Sequence, residues 1–150
     1  MNVKNILLII TRVAVGAVLL YAGFMKAIGP SAEFAAILEA YKLFPPSFLT
    51  PLSVAVPYVE MWAGLFVLTG LYTRQAFFAA ASLFTIFLVA LASTLVRGID
   101  LASCGCFGPD ALSPRYTMIL DAVLLALSLV SSNLAKLPPP LSLDRALPKI

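Results

Sequence analysis

A chain of 150 residues with 61% hydrophobic residues, 11% charged residues and a mean hydropathy of +1.01 cannot build the polar exterior that water demands. A soluble protein is thereby excluded and a membrane protein implied. The net charge of +3 does not indicate nucleic acid as a partner, since the ten Lys and Arg are scattered singly at the ends of apolar runs. With no His in the chain, the commonest general base and zinc ligand is missing, which argues against a catalytic zinc centre.

A helix needs about twenty apolar residues to cross roughly 30 Å of hydrocarbon. Four stretches reach that length, at 5–28, 52–72, 75–96 and 116–134. The expected fold is all-α: a polytopic antiparallel bundle of four transmembrane helices within residues 1–135, embedded in the lipid bilayer. The first run follows Lys4 as a signal peptide would, but it is too long, carries Arg12 and lacks a small-residue cleavage site, so it reads as a retained span.

Between the first two spans, Phe34, Ile37, Leu38 and Tyr41 recur at helical spacing, with Glu33, Glu39 and Lys42 off that face. This is a short amphipathic helix, with Ser31 as its expected cap and Pro45-Pro46 as its expected stop. It is too polar to span and is expected to lie along the membrane surface. A plain connector is the simpler role for it, and a cover over an opening on that side the other.

The second and third spans are separated by Thr73 and Arg74 alone, which makes them antiparallel neighbours. Four spans put both termini on one side. On that side fall Lys4, Arg12, Arg74, Lys136, Arg145 and Lys149, against Lys26, Lys42, Arg97 and Arg115 on the other. Six against four favours cytoplasmic termini in a bacterial inner membrane and a periplasmic loop between spans three and four. Residues 136–150, with Pro138-Pro139-Pro140, read as an extended cytoplasmic tail.

The loop after the third span holds the only two cysteines, in Ser103-Cys104-Gly105-Cys106-Phe107-Gly108-Pro109. Two thiols one residue apart can close a small, strained ring, which suits exchange better than structure. Gly105 supplies the backbone freedom for closure, and Gly108 and Pro109 keep the segment from continuing as helix. Inert or structural thiols, and capture of a soft metal such as Cu(I) by the Cys-x-Cys pair, are the alternatives.

Ionisable groups inside spans are expensive and usually face the bundle interior. Glu60 and Asp121 lie at similar depth beneath the cysteine loop, and Lys26, Arg97 and Arg115 are the cations available to pair with them. Arg12, Gly16, Gly23 and Lys26 share one face of the first span, and Pro57, Glu60 and Gly64 one face of the second. These groups either form buried ion pairs that set register or relay protons to the thiols and touch the head of a small carrier; the two roles are compatible.

Arg12, the stretch Leu20-Tyr21-Ala22-Gly23-Phe24-Met25-Lys26-Ala27, the piece Glu60-Met61-Trp62-Ala63-Gly64, the pair Arg97-Gly98 and Cys104-Gly105-Cys106-Phe107-Gly108 together resemble the methylamine-utilisation MauE branch of the DoxX-like four-helix membrane proteins. The resemblance runs up to about Leu134. It implies a bacterial inner-membrane bundle associated with thiol–disulfide handling of periplasmic proteins, beside a thioredoxin-like partner or a disulfide-containing client. Carried onto this chain, Cys104 and Cys106 become the redox pair, with Lys26, Glu60, Arg97 and Asp121 as polar residues of the bundle. Transmembrane thiol carriers generally pass electrons through a second cysteine pair or a bound quinone. This chain has no second pair, so a quinone or a soluble partner must complete the cycle. A scaffold or maturation factor with a structural disulfide is the competing function.

Overall fold

The computed structural model describes residues 3–99 and 113–135. Among these residues the order is α1 (Val3–Ile28), α2 (Ser31–Ala40), α3 (Pro46–Thr69), α4 (Thr73–Val96) and α5 (Pro114–Leu134). Helices α1, α3, α4 and α5 are each long and apolar enough to cross a membrane, and α2 is the short helix between the first two of them. The expected all-α, four-span architecture is what forms. Cys104, Gly105, Cys106 and Gly108 lie outside the described residues, as does the tail at 136–150.

Local chemistry sets the helix ends. Pro46 and Pro114 open α3 and α5 at positions where a missing N–H costs nothing, so α3 starts well ahead of Leu52. It stops at Gly70, which takes the left-handed conformation (φ 67°) and donates to the Phe66 and Val67 carbonyls. Gly98 (φ 63°) plays the same part after α4, donating to Leu95, while Ile99 donates to Thr94.

Helix α2 departs from expectation at both ends. Its cap position is Pro30, with no side-chain cap from Ser31, and it ends at Ala40 rather than at Pro45-Pro46. Lys42 turns left-handed (φ 51°) ahead of the prolines, and the carbonyls released there are taken by Arg97, as described below.

The bundle is apolar outside and partly polar inside, as a lipid environment requires. Ile10, Val13, Phe24, Val59, Trp62, Phe78, Val89, Ile119 and Val130 are exposed on the four long helices, while Arg12, Lys26, Glu60, Thr94, Thr117, Asp121, Ser128 and Ser131 are buried. A core of Val15, Leu19, Ala63, Val67, Phe77, Ala80, Phe84 and Leu124 joins all four. The most extensive packing is α1 on α3, followed by α4 on α5.

Helices α1 and α3 run antiparallel, backbone against backbone. A Cβ added at Gly16 would lie 2.9 Å from the Gly64 carbonyl oxygen, and one at Gly23 would lie 2.6 Å from the Pro57 carbonyl oxygen. Without water to drive association, such close approach is what holds helices together in lipid. At the opposite edge Ser131 donates to Thr11 Oγ1 at 2.9 Å, tying the end of α5 to the start of α1.

Candidate functional site

The close approach of α1 to α3 brings Lys26 to Glu60. Lys26 Nζ lies 2.5 Å from Glu60 Oε1, with the side chains 3% and 0% exposed. Two charges so deeply removed from water persist only as a pair. Glu60 Oε2 is also buried and has no hydrogen-bond partner among the described residues. The ammonium is framed by aromatic faces as well, 5.1 Å from the Phe87 ring centroid and 5.5 Å from that of Phe34.

Beside the pair lies an apolar cavity of about 300 Å³. Phe34, Leu38 and Tyr41 of the α2 segment roof it, Leu52 and Val56 of α3 and Leu83, Phe87 and Ala90 of α4 wall it, and Lys26 is the one charged residue among the described residues that line it. The amphipathic face of α2 therefore covers an opening in the bundle, and Phe34 and Tyr41 are its buried members.

Among the described residues, the partners of Arg97 are carbonyl groups and the Ser93 hydroxyl. Its guanidinium donates to the carbonyls of Tyr41, of Lys42 (3.2 Å) and of Ser93 (3.1 Å). It clamps the end of α2 to the end of α4, because carbonyls left unbonded at a helix terminus attract a cation. Arg12 does the same at the other end of the bundle, donating to Val67 at 3.1 Å and Leu68 at 2.8 Å, the last turn of α3. Asp121 is buried on α5 in one stripe with Thr117, Leu124 and Ser128.

Of the residues expected to act together, the fold joins Lys26 with Glu60 and places Arg97 over the same end of the bundle, while Arg12 lies at the far end. Sequence reasoning missed the aromatic frame of the ammonium, Phe34 and Phe87, which come from different helices. The one available signal was Phe34 on the apolar face of α2.

The chain matches the family model described as methylamine utilisation protein MauE over residues 4–133. It is similar to the methylamine utilization protein MauE of Methylophilus methylotrophus, with 28% identity over 122 residues. That alignment covers 81% of this chain and 64% of the relative, so the chain spans less than two thirds of that protein's length. No solved structure matches it. With the family model matched from the start of α1 almost to the end of α5, the chain belongs to the MauE family of membrane proteins.

Proposed function

We propose that this chain is a membrane component of periplasmic thiol–disulfide exchange in which Cys104 and Cys106 are the exchanging pair. The observation that carries the reading is that the only two cysteines of the chain stand one residue apart in the segment joining α4 to α5. The start of that segment is anchored: Gly98 closes α4, and Arg97 holds the carbonyls of Tyr41 and Lys42. It thus leaves the bundle from a fixed point, at the end where Lys26 meets Glu60.

One cysteine thiolate attacks a partner disulfide, forms a mixed disulfide and releases a partner thiolate. The second cysteine then attacks the mixed disulfide, leaving a Cys104–Cys106 bridge and a reduced partner. Run in reverse, the same steps oxidise a partner dithiol. A thioredoxin-like protein or a disulfide-bearing client in the periplasm is the partner class, with the termini of this chain in the cytoplasm. The name of the relative ties that protein to methylamine utilisation, and we place this chain in the same physiological setting, as a maturation component.

The test is trapping. Cys104→Ser and Cys106→Ser variants expressed in the native membrane should differ, one accumulating a reductant-sensitive mixed disulfide on non-reducing gels because the resolving thiol is gone. If neither variant traps a partner and the wild-type bridge withstands mild reductant, the pair is structural and the protein a scaffold.

A further inference from the structure

We propose that the cavity beneath α2 is a binding site for a neutral lipophilic ring of the quinone class, with the Lys26 ammonium donating a hydrogen bond to a ring carbonyl. The walls are apolar and carry the rings of Phe34, Tyr41, Phe44 and Phe87 among aliphatic side chains, which suits a flat ring. The volume of about 300 Å³ admits a head group with a short substituent, and the exposed Phe44 and Ile86 at its rim leave a longer tail to the surrounding lipid.

The polar chemistry narrows the ligand further. An ammonium has three protons; Glu60 Oε1 accepts one, and Phe34 and Phe87 offer only ring faces. Among the described residues a donor therefore remains for an acceptor in the cavity. Because Glu60 already neutralises the charge, an anionic ligand would bring an unbalanced charge into a site of low polarity, whereas a carbonyl would not. Glu60 Oε2, buried and without a hydrogen-bond partner among the described residues, is a second unmet polar group at the same pair.

Binding is a property of the bundle, while its redox use rests on the thiol-exchange reading above. In that use the Cys104 and Cys106 dithiol gives two electrons and two protons to the ring, producing the disulfide and the hydroquinone. This supplies the second carrier that a chain with a single cysteine pair needs.

The test is equilibrium dialysis of ubiquinone-1 against the full chain in lipid nanodiscs, with empty nanodiscs subtracted and a prenyl alcohol lacking the ring as control. We expect saturable binding of one quinone per chain, weakened about tenfold or more in a Lys26→Met/Glu60→Leu variant, which removes the ammonium donor without stranding a charge or adding another donor. Ala90→Phe, which fills the cavity and spares the pair, should weaken it comparably and decides the matter if the double variant fails to fold. Absence of saturable binding, equal uptake of the prenyl alcohol, or binding unchanged in the folded variants overturns the proposal. A Cys104→Ser/Cys106→Ser variant should bind as wild type yet form no hydroquinone. If the reduced wild type binds the quinone but also forms none, the exchange reading fails and the site stands.

Discussion

Replacing Gly64 with Ala adds one methyl group where α1 and α3 touch. That carbon would sit 2.7 Å from the Leu20 amide nitrogen and 2.8 Å from the Gly16 carbonyl oxygen. Both are backbone atoms of a facing helix, so no side chain can rotate aside and the two helices must part. Overpacking costs about 1–3 kcal/mol, and contacts this short against rigid backbone belong to the upper part of that range, about 2–3 kcal/mol, while the gain in helix propensity from Gly to Ala returns at most about 1 kcal/mol. A net loss of about 1–2 kcal/mol follows, a fall of roughly 2–8 °C in melting midpoint for a chain of this size. The assay is thermal unfolding in detergent followed by circular dichroism. Gly29→Ala is the internal control, since its nearest contacts are 3.7 and 3.9 Å away and its midpoint should hold or rise. Gly16→Ala/Gly64→Ala should lose less than the sum of the singles, because helices already parted by one methyl accept the second more easily. A Gly64→Ala protein that melts at or above the wild-type temperature would refute the close-packed α1–α3 seam.

Glu60→Ala strands the Lys26 ammonium in the bundle and should lower stability by about 3–5 kcal/mol; Lys26→Met/Glu60→Gln should recover much of that loss in the same melting assay. Wild-type stability in Glu60→Ala would put the pair in contact with water. Arg97→Ala should release the end of α2 from α4, seen as faster amide exchange at Tyr41 and Lys42 with little change in the middle of α1. Equal protection in the variant would deny the clamp. For orientation, a membrane-impermeant thiol reagent should label reduced Cys104 or Cys106 in intact spheroplasts. Labelling confined to lysed cells would reverse the topology.

The number of spans, their order and the presence of a polar seam were already determined by the sequence, because each depends on neighbours along the chain. A run of twenty apolar residues has to span wherever it packs, and Gly16, Gly23 and Lys26 share a face through helical periodicity alone. The boundaries of α2 were less legible. Its stop was expected from Pro45-Pro46, but the chain turns at Lys42, where carbonyls find a guanidinium from a residue 55 positions away. The partner of each buried charge was likewise beyond local reasoning. Lys26 and Arg97 were both candidates for a carboxylate, and only the register of α1 against α3 gives Glu60 to Lys26 and leaves Arg97 to clamp α2. That register follows from the contact of Gly16 with Gly64 and of Gly23 with Pro57, an interhelical fit that no single helix encodes. The cavity is tertiary for the same reason: its walls come from α1, α3, α4 and the α2 segment, and an empty volume exists only once all of them are in place.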